Sequence, residues 1–122
     1  MQAIDGISHP TILQYFETLN VGEFEATSEL FAIDGAMQPP FEKPIEGRDA
    51  IANYLKKEAI GLMALPHAGV VTDSEYQITG RVQMPMFGVN VTWNFTLNSN
   101  DQIAFVRIKL NASPQELVKL RQ

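Results

Sequence analysis

The sequence has no cysteine, which removes disulfides, thiolate nucleophiles and Cys-ligated metal sites. Positive charge is sparse: nine Lys and Arg stand against 14 Asp and Glu, for a net charge of −5. Nucleic-acid and anionic-membrane surfaces need clustered cations, so no nucleic-acid partner is expected. No apolar run approaches the ~20 residues that span a bilayer. Residues 1–8 hold neither a basic stretch nor an apolar core. No secretory signal is therefore read, and a cytoplasmic location is expected. Histidine is limited to His9 and His67, each beside a proline. Neither has a second ligand at metal spacing, so both read as solvent-facing.

What is present is an ordinary globular composition, 45% hydrophobic and 19% charged over 122 residues. That is one domain, residues 1–122, large enough for a real core. Its most informative stretch is residues 84–97, MPMFGVNVTWNFTL. Val89, Val91, Trp93, Phe95 and Leu97 alternate with Asn90, Thr92, Asn94 and Thr96. Period two predicts a strand with one apolar and one polar face. The apolar face carries the only Trp of the chain, whose indole N–H wants an acceptor when buried.

The rest is read in order. Ser8 is the expected cap of a first helix, with Pro10 in its first turn. Ile12, Tyr15, Phe16 and Leu19 share its apolar face. A second helix is expected to run through Phe24, Thr27, Leu30 and Phe31 and to end at Asp34-Gly35. Residues 36–38 read as a short strand, and Pro39, Pro40 and Pro44 as a stiff rim. Gly47 opens a third helix, with Ile51, Tyr54, Leu55 and Leu62 on one face. Period two then begins after Gly69. Tyr76, Ile78 and Val82 lead through a turn at residues 85–88 into the Trp93 strand. A hairpin turn at Ser99-Asn100-Asp101 gives a last strand. Its Ala104, Val106, Ile108 and Leu110 share one face. Ile103, Phe105, Arg107 and Lys109 share the other, expected to be outward. Ser113, Pro114 and Glu116 predict a capped terminal helix over residues 112–122. The expected class is α+β: a curved antiparallel sheet closing as a cone over the early helices, plus the C-terminal helix.

This order of elements resembles the nuclear-transport-factor-two-like cone fold. Local motifs are similar to the C-terminal domain of the cyanobacterial orange carotenoid protein family and to its stand-alone carrier homologues. They are LFAIDGAMQPPF at 30–41, PIEGR at 44–48, ITGRVQ at 78–83, FGVNV at 87–91 and ASPQEL at 112–117. The resemblance implies a soluble, non-enzymatic keto-carotenoid carrier serving photoprotection and singlet-oxygen quenching. It implies a ligand of canthaxanthin or echinenone type, its ring oxygen held by Tyr15 and Trp93. Leu62, Ala64, Val82, Pro85, Met86, Phe87, Phe95, Ile108 and Leu110 match further pocket positions. Glu58 matches a residue that pairs with an arginine of a helical domain in full-length members. Met86 departs from the pattern, since full-length members usually carry a second Trp there. The implied partners are a second copy sharing one carotenoid, helical carotenoid proteins as donor or acceptor, and a membrane contacted transiently for pigment uptake.

The cone fold also hosts isomerases and dehydratases, so a cone-fold enzyme and a ligand-free dimerisation module stand as alternatives. An isomerase needs a carboxylate or histidine base within reach of its substrate. No inward position on the three expected long strands supplies one. Glu42 and Asp34 are the candidates left for that role.

Overall fold

The computed structural model describes residues 4–111. The helices are α1 (Pro10–Asn20), α2 (Phe24–Glu29) and α3 (Arg48–Glu58). The strands are β1 (Phe31–Gln38), β2 (Ile45–Glu46), β3 (Met63–Thr72), β4 (Glu75–Gln83), β5 (Gly88–Leu97) and β6 (Ile103–Leu110). They form one sheet in the order β2-β1-β6-β5-β4-β3. Every neighbouring pair is antiparallel except β1 and β6, which run parallel. The α+β cone is thus as expected, with a mixed sheet in place of a purely antiparallel one. The expected terminal helix lies outside the described residues.

The Trp93 strand behaves as its alternation requires. Val91, Trp93, Phe95 and Leu97 are buried, and Trp93 lies between Ile78 of β4 and Ile108 of β6. Against this face α1 packs Ile12, Tyr15, Phe16 and Leu19, and α3 packs Ile51 and Leu55, all buried. The cap of α1 is His9 rather than Ser8: its Nδ1 accepts from the Thr11 N–H at 3.2 Å. His9 also reaches Asp101 across the fold, Nε2 to Oδ1 at 3.2 Å, and sets its ring edge-on to Tyr76. It is therefore a half-buried structural residue, whereas His67 is exposed as expected.

Three differences from the sequence reading have local causes. Phe31 opens β1 instead of closing α2, because β1 pairs with β6 from Phe31↔Ile103 onward across a bulge before Ala36. Ile103 is fully buried, not outward. The register shift between Thr96 and Leu97 turns the start of β6 inward, and the Ile103 N–H donates to the Leu30 carbonyl at 3.0 Å. β3 was not expected at all. It is a sheet edge, where Pro66 is tolerated, and its bulge between Pro66 and Ala68 erases any simple period. Its free side is covered by neighbouring groups. Asp5 exchanges backbone hydrogen bonds with His67 and Gly69 at 3.1 and 2.8 Å, and the Asn20 carboxamide bonds both backbone groups of Ala64 at 2.7 and 2.8 Å. Asn20 thus acts as a strand residue and blunts the edge.

Gly80 lies opposite that bulge, paired with Pro66. A Cβ there would stand 2.4 Å from the Leu65 oxygen and 2.7 Å from the Pro66 Cα, both backbone atoms. Gly80→Ala is expected to cost about 1–3 kcal/mol through overpacking, read as a lower urea midpoint with an unchanged slope. A wild-type midpoint would contradict this account of the β3–β4 crossing.

Candidate ligand-binding site

α1 carries Tyr15 inward because its apolar residues repeat at helical spacing. β5 carries Trp93 inward because its residues alternate. The two elements are pinned by edge-to-face aromatic contacts. Tyr15 meets Phe95 at 5.0 Å and Phe31 at 6.3 Å between ring centres, and Phe16 meets Trp93 at 4.8 Å. On one side of this cluster the helices and the sheet diverge and leave a cavity of about 150 Å³.

The cavity wall is almost wholly apolar. Of the residues expected to form the site, Tyr15, Trp93, Leu62, Ala64, Val82, Ile108 and Leu110 line it together. Four do not. Phe95 is buried behind Tyr15 and supports it from the core. Pro85, Met86 and Phe87 lie on an exposed turn, with Met86 90% and Phe87 55% accessible. The turn carries them outward from the paired Val82 and Val89, which are themselves in the wall.

The wall also includes residues that were not expected to form the site. Leu19, Val89 and Val91 were signalled by periods already visible, one helical turn from Tyr15 and two strand steps along from Trp93. Met37 enters because β1 pairs with β6 and sets it beside Val106. Pro39 and Pro40 follow directly from the end of β1. Tyr54 and Leu55 follow from the apolar face of α3 read in the sequence, and Glu58 and Ala59 from its end.

Two neutral donors face this space. Among the described residues, the Tyr15 hydroxyl has only the Met37 thioether for an acceptor, at 4.0 Å. Sulfur is a weak acceptor, so the hydroxyl is close to free. Burial first, and the neighbouring Tyr54 second, hold its pKa well above the ordinary 10.0. It therefore remains a protonated donor through the physiological range. Among the described residues, no group accepts from the Trp93 indole N–H. Tyr54, nearer the mouth, donates to Glu42 Oε2 at 2.9 Å. Its pKa is also raised, by burial, by that hydrogen bond and by the Glu42 and Glu58 charges. Among the described residues, Glu58 is the one carboxylate in the wall, at the exposed C-terminal end of α3. Asp34 is exposed on β1 and not in the wall, and Glu42 is occupied by Tyr54.

The pattern of the Nuclear transport factor 2 (NTF2) domain matches residues 7–110, and the chain belongs to that family. Within it, the chain is similar to the C-terminal domain of orange carotenoid proteins. It is 40% identical over 126 aligned residues to the orange carotenoid-binding protein of Limnospira maxima, covering 96% of this chain and 40% of that protein. It matches the Anabaena (Nostoc) orange carotenoid protein binding canthaxanthin with a TM-score of 0.83 and 43% identity, over 96% of this chain and 40% of that one. The chain thus spans about two fifths of the length of these relatives. A putative polyketide cyclase of Sinorhizobium meliloti shares the fold at TM-score 0.72 and 22% identity, over 80% of this chain and 92% of that one. The resemblance read from the motifs is borne out.

The buried Tyr15 hydroxyl has a measurable consequence. As pH rises past the ordinary tyrosine value of 10.0, the unfolded chain loses this proton before the folded one does. Its contribution to stability is fully present below that value and is lost above it. Urea unfolding from about pH 8 to about pH 11 is expected to show the decline. Tyr15→Phe is expected to make it shallower, leaving the part due to Tyr54. An identical slope in the variant would contradict a buried neutral hydroxyl.

Proposed function

We propose that this protein binds and carries a keto-carotenoid of canthaxanthin or echinenone type, without turning it over. The supporting observation is an apolar cavity with two neutral donors and, among the described residues, no buried base. A carotenoid offers almost no polar atoms except its ring oxygens. The Tyr15 hydroxyl gains a carbonyl acceptor in place of a thioether, and the Trp93 N–H gains one where no described residue supplies it. In a dry pocket such bonds are strong relative to water. The similarity to carotenoid-binding proteins points the same way.

A cavity of about 150 Å³ is comparable to one that holds a benzene ring. It can cover at most one end of the ligand and not the polyene. The ligand is a rod roughly as long as a small domain is wide, about 30 Å, so most of it extends beyond one cone. A second copy gripping the other ring covers the remainder, and the loaded form is a homodimer sharing one pigment. Its exchange partners are helical carotenoid proteins, its setting is the cytoplasm, and its service is photoprotection by singlet-oxygen quenching. The isomerase alternative has only Glu58 as a base in the wall among the described residues. That carboxylate is exposed at the rim, away from the two donors' buried positions.

The test is the visible spectrum of the protein mixed with canthaxanthin. Wild type is expected to hold the pigment with a red-shifted band, and Tyr15→Phe with Trp93→Phe to lose the shift. A wild-type spectrum in the double variant would refute the assignment of the donors. Failure of the wild type to take up colour would refute the carrier reading.

A further inference from the structure

A cavity of about 150 Å³ lies below the ~300–1,000 Å³ of pockets that enclose an organic ligand. A methyl-substituted keto ring is bulkier than the benzene such a volume holds, so part of the wall yields when the ring enters. Most of the wall belongs to helices and strands, which give little. α1 is fixed to β5 by aromatic contacts, and the strands are tied by their ladders. Two irregular segments remain: the α3–β3 connection with Ala59 and Leu62, and the turn after β1 with Pro39 and Pro40. The first is anchored. The Ala59 N–H donates to the Leu55 carbonyl and the Leu62 N–H to the Ala59 carbonyl, and Ala64 beyond them is held by Asn20.

The second is held more lightly. The Glu42 N–H donates to the Pro39 carbonyl at 3.3 Å, which makes residues 39–42 a β-turn. Pro40 suits its second position. Phe41 does not suit the third, where it has a φ of 64° and is 90% exposed. Glycine takes that conformation without strain, and a bulky side chain does not. The Gln38 carboxamide closes the turn on its own strand, donating to the Glu42 carbonyl at 3.1 Å. Among the described residues, one hydrogen bond joins residues 39–42 to another element, from the Tyr54 hydroxyl on α3 to Glu42 Oε2 at 2.9 Å. That bond holds against a repulsion, because the charges of Glu42 and Glu58 both act on the same hydroxyl. Past the turn the space continues: Pro40, Ile108 and Leu110 line the cavity and also a surface cleft that Phe41 and Glu42 border. We propose that residues 39–42 are a strap across the cavity, closed by the Tyr54–Glu42 hydrogen bond and biased toward opening by the strain at Phe41, and that its release joins the cavity to the cleft beside β6 and admits the ligand. This deepens the carrier reading above and rests on it for the identity of the ligand.

Acrylamide quenching of Trp93 emission in the pigment-free protein tests the strap. Trp93 is the only tryptophan, stands in the cavity wall and is 1% exposed, so a quencher reaches it through an opening of that wall. Tyr54→Phe keeps the ring and removes the hydrogen bond. Its quenching constant is expected to rise about threefold or more, the population shift of one lost hydrogen bond. Phe41→Gly relieves the strain and is expected to lower the constant below that of wild type. Opposite signs from two neighbouring changes separate a strap from general loosening. Equal constants for Tyr54→Phe and wild type overturn the proposal. So does a Phe41→Gly constant at or above wild type. So, too, does a rise in Tyr54→Phe that only follows the fraction of unfolded chain, read by circular dichroism of the same sample. No pigment is present, so the outcome is independent of whether the cavity binds carotenoid, which the spectrum of the canthaxanthin mixture reports separately.

Discussion

The edge-to-face contacts between α1 and β5 are what the site depends on. Phe16 on Trp93 and Tyr15 on Phe95 fix the helix to the sheet at one point. Away from that point the two layers are free to diverge. The cavity lies beside this contact, and Tyr15 and Trp93 of it stand in the cavity wall. Packing and site are therefore not separable here. Each donor is held rigid by a ring that belongs to the core, so a ligand meets groups already in place. The same rigidity is why Phe95, which was expected to touch ligand, acts from behind: it sets Tyr15 instead of lining the space.

The chemistry available follows from what these donors lack. Both are neutral, and burial keeps Tyr15 protonated. Neither can remove a proton from a substrate. The NTF2 fold elsewhere includes a putative cyclase, so the scaffold does not forbid catalysis. In this chain the acidic groups near the cavity are placed where water reaches them. Glu58 sits at the exposed end of α3, and Glu42 accepts from Tyr54.

How much of this could be read in advance depended on whether a signal was local. The strict alternation of residues 89–97 announced β5, its buried face and Trp93. The helical spacing of Ile12, Tyr15, Phe16 and Leu19 announced α1. Bulges defeated the same reasoning elsewhere. β3 carries one after Pro66, and the β5–β6 pairing carries one at Leu97, which turns Ile103 inward against a straightforward count. Register shifts move every side chain to the other face, and nothing in a single sequence marks them. The Ser8 cap was displaced by one residue because a His9 ring nitrogen can do the same work. Family resemblance supplied the pairing of Tyr15 with Trp93, which no periodicity could show. It named Pro85, Met86 and Phe87 as pocket positions, and the turn carries them out past Val82 and Val89, outside the cavity wall.

Trp93 is the only tryptophan, so its fluorescence reports the proposed site and nothing else. Titrating the pigment-free protein with canthaxanthin while following that emission measures occupancy of the cavity directly. The account predicts strong quenching that saturates at one pigment for two chains, as both Trp93 residues of a dimer come to face the rings of a shared ligand. Emission that is unchanged when pigment is bound would place the ligand elsewhere and contradict the central claim.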